Sequence, residues 1–404
     1  MLIDRRLVQQ VLLTLSLGLL FFDALTGFVY FRFGVNSNLS TIYKLIFVFL
    51  CIVYCFENSR TTREYKLMLV AVIFCLLWAT AININANRIS FYIKDIGDSI
   101  KLISVFVVYF TFSKLGQYDS KDFTKKFLLI STAVLVLNIV ATVMGFGQSA
   151  YSNNFGAKGF FQAGNSLSSI VILISTFSFV LLKRLKEIYF YACFTFMVVI
   201  AYYIGTKSGM LGVLLSGILV ILSRFKLSFR HMILISIAFL VVTYSAFWLF
   251  DFILNSVLYD RFIFMYENRG LLGALISGRD EFFRNIAPYF FNSDLLTLSF
   301  GFGTKGLAIF EKPLVEMDWF DMLFQFGFIP TFLYFSMFFV LLKDLHGIKV
   351  NEFSYNADLK SAALISTYIL LCTSFISGHV LLNGVVTFFW GVLISLPKHS
   401  SSID

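Results

Sequence analysis

Long apolar runs, separated by short polar connections, recur from one end of the chain to the other. Each run is about 20 residues long, which is the length that a helix needs to cross about 30 Å of hydrocarbon. The pattern predicts an all-α polytopic membrane protein, with residues 1–404 forming a single transmembrane domain. The twelve predicted spans cover about 8–30, 39–56, 65–82, 96–113, 125–146, 165–182, 187–204, 207–223, 232–250, 318–342, 359–376 and 380–396.

Four of these spans come from two apolar stretches, 187–223 and 359–396, each of which is too long for one crossing. Each stretch contains one polar interruption, at 205–209 in the first and 377–379 in the second. We predict that the chain turns at each interruption and forms two helices there.

Composition supports a membrane protein, because 58% of the residues are hydrophobic and only 14% are charged. An ordinary soluble domain carries about 25% charged residues. Lysine and arginine concentrate in alternate connections, and such an excess marks the cytoplasmic side. Both termini are therefore predicted to be cytoplasmic, with a retained first span after Arg5 and Arg6. The net charge of +9 follows from this bias, and no basic domain is available to bind nucleic acid.

One connection is long, residues 251–317, and the alternation of spans places it outside the cytoplasm. Either this loop is simply solvated, with mixed charges, or its arginines converge on an anionic substrate, because a guanidinium binds phosphate oxygens in pairs. Within the loop, Ser277 is predicted to cap a helix that begins near Arg279 and has an apolar face. The cations of the loop are Arg261, Arg269, Arg279, Arg284, Lys305 and Lys312.

Acidic residues stand where the chain re-enters the membrane. Glu316 and Asp318 are candidates for a site, because carboxylates at this depth are unfavourable unless they are paired or hydrated. The alternative is an ordinary helix N-terminus, where the helix dipole favours acids. Asp98 and Lys101 are one helical turn apart and are predicted to pair. Asp23, alone in the first span, fits either a structural or a functional role.

His379 is predicted to lie on the outer side, between the last two spans. Its imidazole is a candidate general base, and the alternative is a hydrogen-bonded turn residue. The four histidines and five cysteines form no cluster of ligands, so we expect no metal site and no cofactor. Residues 301–306 fit the pattern GxGxxG, but no βαβ unit surrounds them.

Four short motifs follow one another on the predicted outer side. They are GFFQAGN at 159–165, GTKSG at 205–209, SGR at 277–279, and EMDWFD at 316–321 followed by GFIP at 327–330. From about residue 155 onward, their order and spacing resemble the Wzy-type O-antigen polymerases. These polymerases and the O-antigen ligases form one superfamily of bacterial polysaccharide-assembly proteins.

The resemblance implies a metal-independent glycosyltransferase without a cofactor. It would move a growing glycan from one undecaprenyl diphosphate onto a repeat unit carried by another. Counting back from Gly327, Glu316 stands where the ligase branch has a histidine, which favours a polymerase. The resemblance suggests Glu316 or Asp318 as the base, with His379 as a further candidate. The substrate-binding residues that it implies are Lys207 and Arg279 at the diphosphate, with Asn165, Arg261, Arg269 and Arg284 in support.

The same resemblance implies a place and partners for the protein. We expect a multi-pass protein of the bacterial inner membrane with a periplasmic active face, surrounded by membrane lipid and working with a separate chain-length regulator. Two alternatives remain, an O-antigen ligase and a flippase or other transporter of lipid-linked oligosaccharides. A transporter typically shows paired internal repeats and charged, broken helices at the midplane, whereas the polar residues here gather near one surface.

Overall fold

The chain folds as a bundle of helices in the computed structural model. The described residues are 5–57, 63–83, 89–116, 118–150, 156–161, 164–223, 257–351 and 354–398. The predicted span at 232–250 lies outside them. Among these residues the only strands are β1 (Gln148–Ser149) and β2 (Ala157–Gly159), which pair as a short antiparallel hairpin.

The first nine helices contain the N-terminal half of the bundle. They are α1 (Arg5–Leu17), α2 (Leu19–Phe33), α3 (Leu39–Glu57), α4 (Arg63–Ile82), α5 (Ile89–Phe112), α6 (Ser120–Val143), α7 (Gly164–Leu185), α8 (Glu187–Ile204) and α9 (Lys207–Leu222).

The remaining helices begin within the long predicted loop. They are α10 (Val257–Leu275), α11 (Arg279–Phe291), α12 (Leu295–Phe300), α13 (Gly303–Leu307), α14 (Asp318–Phe326), α15 (Phe328–His346), α16 (Tyr355–Ser377) and α17 (Gly384–Ser395), with a final 3₁₀ turn at Leu396–Lys398. The described part of the loop therefore carries four helices, α10 to α13.

The helices bear out the all-α membrane fold. Six of the described helices are long and apolar enough to cross a membrane, or seven if α1 and α2 form one bent span. Three shorter apolar helices lie at Leu39–Cys55, Lys207–Leu222 and Gly384–Lys398. The predicted turns at 205–209 and 377–379 are confirmed, because α8 ends before the first and α16 ends at the second. The count of twelve spans stays a prediction.

Two predicted spans are broken rather than continuous. The span at 8–30 bends by 50° at Gly18, where a Cβ atom would lie only 2.5 Å from Tyr43 Oη. The span at 318–342 divides into α14 and α15 at Gly327, whose φ of 81° is in the left-handed region that favours glycine. A Cβ there would lie 2.4 Å from the backbone nitrogen of Phe300. Apolar periodicity continues through both glycines, so the sequence pattern hides the breaks.

The centre of the bundle is formed by α5, α7 and α17. All residues of α17 from Val386 to Ser395 are buried, as are those of α5 from Leu102 onward. Large apolar side chains such as Phe49, Phe332 and Phe339 are instead exposed on the outside of the bundle. An exposed apolar surface of this kind fits a surrounding of lipid tails rather than water.

Basic side chains bind helix ends at one end of the bundle. Lys360 Nζ donates to the carbonyl of His346 over 2.8 Å, and Arg184 pairs with Asp358 at 3.1 Å. These contacts tie the C-terminal ends of α7 and α15 to the N-terminal end of α16. Lys398 pairs with Asp344 near the C-terminus. The candidate site residues described below lie at the opposite end.

Candidate functional site

The Asp318 carboxylate joins two turns that are sixty residues apart in sequence. Its Oδ1 accepts a hydrogen bond from the backbone nitrogen of His379 at 2.7 Å. Its Oδ2 accepts from the backbone nitrogens of Val380 and Leu381, also at 2.7 Å. Asp318 is only 1% exposed. The carboxylate is therefore the structural centre of the 378–383 turn, because a buried anion is stabilised when backbone donors surround it.

Backbone conformation brings the same two turns into direct contact. Glu316 has a φ of 63° and His379 a φ of 60°, and side chains with a β-carbon rarely adopt this left-handed region. Gly378 lies so close that a Cβ atom on it would be 2.3 Å from the carbonyl oxygen of Glu316. Strained backbone of this kind clusters at functional sites.

Two cations share the Glu316 side chain. Lys312 Nζ lies 3.0 Å from its Oε1, and Arg279 lies 3.6 Å from its Oε2. We call Arg279, Lys312 and Glu316 the cation cluster. Two positive charges against one negative charge leave the cluster with a net charge of +1. The cluster is largely shielded from solvent, since the Arg279 side chain is 10% exposed and the Glu316 side chain 30%. The excess positive charge suits an anionic ligand such as a diphosphate.

Leu314 and Asp318, on either side of Glu316 in sequence, line a cavity of about 530 Å³. One wall of this cavity, which we call the reactive wall, contains Asp318, Asp321 and His379. The Asp321 carboxylate accepts from the backbone nitrogen of Val315 at 2.6 Å. His379 lies beside Asp318 in this wall, because its backbone nitrogen binds that carboxylate.

A buried polar network supports the reactive wall from the side of α5. Gln325, which follows Asp321 by one helical turn, donates to Asp95 at 2.8 Å and to Asp98 at 3.2 Å. Asp95 also accepts from the backbone and hydroxyl of Thr304. The glycine-rich turn at 301–306 thus supplies a donor to a carboxylate of the same chain. The predicted Asp98–Lys101 pair is confirmed at 2.7 Å.

The helix that carries Arg279 differs from expectation at its start. The predicted cap by Ser277 is wrong, because α11 begins after Gly278 with no side-chain cap, and Ser277 has a φ of 58°. The predicted apolar face is confirmed where Phe283 and Phe290 pack on Phe320 and Phe324 of α14. With this packing, Arg279 at the start of the helix is buried.

The other predicted binding residues lie farther from the cluster. Arg284 points outward, 76% exposed, and pairs with Asp280 at 3.7 Å. The side chains of Arg261 and Arg269 lie outside the described residues. Asn165 lies in the first turn of α7, and Lys207 begins α9. The starts of these two helices meet where Ser168 hydrogen-bonds Thr206. Neither Asn165 nor Lys207 lines the cavity, although Ser166, next to Asn165, does.

The cavity residues that were not among the predicted site residues include a polar group on α2 and α3. Asp23 of α2 pairs with Lys44 of α3, and the Ser40 hydroxyl donates to the same carboxylate oxygen. The sequence left the role of Asp23 open between structural and functional. The presence of an acid and a lysine in consecutive apolar helices could have predicted this pair, because an unpaired charge in an apolar helix is energetically unfavourable.

Comparison with known families supplies the identity of this arrangement. Residues 265–397 match the family described as O-antigen ligase like membrane protein. The match places this segment, about a third of the chain, in the O-antigen ligase and polymerase superfamily. No curated protein matches the chain.

The family match fits the geometry of the site. The matched segment contains Arg279, Glu316, Asp318 and His379, whereas Asp23 and the rest of α2 and α3 lie outside it. The family supports a multi-pass membrane enzyme that assembles polysaccharide and resembles a glycosyltransferase. The family match and the resemblance drawn from the motifs agree over residues 265–397.

Proposed function

We propose that the protein is a surface-polysaccharide polymerase of the bacterial inner membrane. It transfers a growing glycan from undecaprenyl diphosphate onto a repeat unit carried by a second undecaprenyl diphosphate. The observation that carries the proposal is the cation cluster, whose Glu316 is two residues from Asp318 of the polar cavity that His379 also lines. A reaction of this kind needs cations for the departing diphosphate and a base for the acceptor hydroxyl.

The reaction makes one bond and breaks one. A hydroxyl oxygen of the acceptor sugar attacks the anomeric carbon of the donor sugar, and the bond from that carbon to the diphosphate oxygen breaks. The diphosphate leaves with the bonding electron pair and stays on its lipid. Arg279 and Lys312 stabilise the charge that develops on it, and the hydroxyl proton passes to the base.

We assign the base role to His379, because the described geometry occupies the two carboxylates. Asp318 already accepts three backbone hydrogen bonds, and Glu316 is shared by two cations. His379 lines the cavity, and the turn that carries it is anchored on the Asp318 carboxylate, which orients the residue for this role. Asp318 is then a positioning residue. Glu316 remains the alternative base, as the motif suggests.

The different charges at the two ends of the bundle support a proposed orientation in the membrane. The end where Lys360, Arg184 and Lys398 bind helix termini is proposed to be cytoplasmic, in keeping with the positive-inside bias. The cation cluster and the cavity then face the periplasm. We propose a chain-length regulator as a partner, since a processive transfer of this kind sets no length by itself.

A ligase is the second candidate, because the matched family carries that name. Purified protein incubated with only the undecaprenyl diphosphate-linked repeat unit tests the choice. A polymerase produces a ladder of longer lipid-linked glycans. If no ladder forms until lipid A with its core sugars is added, and glycan then moves onto it, the protein is a ligase. If neither mixture extends a chain while labelled lipid-linked sugar crosses vesicles, the transporter replaces the enzyme.

A further inference from the structure

The cavity has a second wall that the proposed reaction does not use. Helices α2 and α3 form it, with Asp23, Ser40 and Lys44 at its centre and the connecting residues Asn36 and Asn38 beside them. These helices lie outside the segment that matches the family. The cavity volume of about 530 Å³ falls within the range of ordinary ligand sites.

The charges of the second wall are balanced within the protein. The Asp23 and Lys44 side chains, 8% and 13% exposed, form an ion pair, and Lys101 likewise pairs with Asp98. The cavity lining contains three lysines, Lys44, Lys94 and Lys101, against four aspartates. Because the lining has no excess positive charge, it favours an uncharged polar ligand over a diphosphate. This separates it from the cation cluster, which carries excess positive charge.

One acceptor in this wall is unfilled. Both Ser40 and Lys44 bind Oδ1 of Asp23, whereas Oδ2 is buried and has no hydrogen-bond partner among the described residues. A buried carboxylate oxygen without a donor is unfavourable, because it has lost its water and gained no partner. A ligand hydroxyl would satisfy it, since hydroxyl groups both donate and accept hydrogen bonds.

The remaining lining has the mixed character that a sugar requires. The amides of Asn36 and Asn38 can each donate and accept, and the rings of Phe161 and Phe388 offer apolar faces in the same cavity. A sugar ring presents hydroxyls at its rim and C–H groups on its faces. Such a ligand uses both kinds of surface at once.

A second cavity adjoins the first and offers room for more than one sugar. This cavity, of about 380 Å³, shares Asn36 and Phe161 with the first. Lys158, Gln148 and Tyr30 line this extension. The two cavities together form a path that leads away from His379 along the outer end of α2.

We infer that the second wall is the saccharide subsite that holds the acceptor repeat unit, with Asp23 and Asn36 as specificity-determining residues. The inference rests on the proposed function, because the sugar in this cavity presents its hydroxyl to His379, which lines the same cavity. Helices α2 and α3, outside the matched segment, thus select the sugar, while the matched segment performs the transfer.

Binding to two lipids tests the inference. The protein is placed in nanodiscs, and the affinities for undecaprenyl diphosphate and for the same lipid carrying the repeat unit are measured. Asp23→Asn and Asn36→Ala are expected to weaken binding of the sugar-bearing lipid about tenfold and to leave binding of the bare lipid unchanged. Asn36 lies in an exposed connection, so its variant is safe for folding. Asp122→Asn, exposed on α6, is the matched control.

Two outcomes of the binding measurements would contradict the proposed saccharide subsite. An equal loss for both lipids means that the second wall binds the lipid diphosphate, and no loss for either means that it binds no substrate. Arg279→Ala in the same assay separates the two proposals, since it should weaken both lipids. If Arg279→Ala leaves both affinities unchanged, the proposed diphosphate site fails, whatever the result at Asp23.

Discussion

Replacing Arg279 by alanine is expected to lower the rate of glycan transfer by about 100-fold or more, while the protein remains folded. Arg279 is the buried member of the cation cluster, and its guanidinium lies 3.6 Å from Glu316. Its fixed fork of donors is positioned before substrate arrives, so it stabilises the departing diphosphate without having to reorganise. Rates of ladder formation, measured beside the midpoint of thermal unfolding, give both quantities.

Arg284→Ala is the matched control for this change. Arg284 lies on the same helix, five residues further on, but is 76% exposed and pairs only weakly within α11. Its loss should leave transfer within about twofold of wild type. Arg279→Lys should recover only part of the activity, because an ammonium cannot bind two phosphate oxygens side by side. Equal losses at Arg279 and Arg284 would mean that the loop contributes only diffuse positive charge.

Asp318→Asn is expected to lower the free energy of unfolding by about 3 kcal/mol and to abolish transfer. The carboxylate accepts hydrogen bonds from His379, Val380 and Leu381, and an amide directs one of its own donors at them. The 378–383 turn then loses its anchor, and His379 moves away from the cavity. The midpoint of thermal unfolding in detergent, with the transfer rate, measures both effects.

Asp122→Asn supplies the control for stability. Asp122 is 51% exposed and forms a surface pair with Lys126, which contributes less than about 1 kcal/mol. Its replacement should leave the midpoint almost unchanged. An Asp318→Asn protein that melts with wild type would show that the three backbone donors do not depend on this carboxylate, and the positioning role would be lost.

Topology explains which parts of the site the sequence could predict. Glu316, Asp318 and His379 all fall at span ends on one predicted side, so their common location follows from counting spans. The hydrogen bonds between them do not, because they depend on the left-handed turns at Glu316 and His379. Those turns involve residues that rarely adopt such a conformation, and no propensity rule assigns it to them.

The ion pair between Asp23 and Lys44 of neighbouring helices was not predicted from the sequence. Asp23 and Lys44 each interrupt an apolar run, and periodicity treats each as an isolated exception. Their contact arises from the 50° bend at Gly18 and the packing of α2 on α3. Glycine is common in membrane helices, so the bend has no distinctive signal. The burial of Arg279 likewise accompanies aromatic packing between α11 and α14.

The proposed reaction requires diphosphate at the cation cluster while sugar occupies the cavity that His379 lines. An electron cryomicroscopy structure of the His379→Asn protein in nanodiscs, with the undecaprenyl diphosphate-linked repeat unit bound, would locate both groups. We expect diphosphate density against Arg279 and Lys312, with sugar density in the cavity beside Asp23. Diphosphate bound at the opposite end of the bundle, near Arg184 and Lys398, would contradict this arrangement.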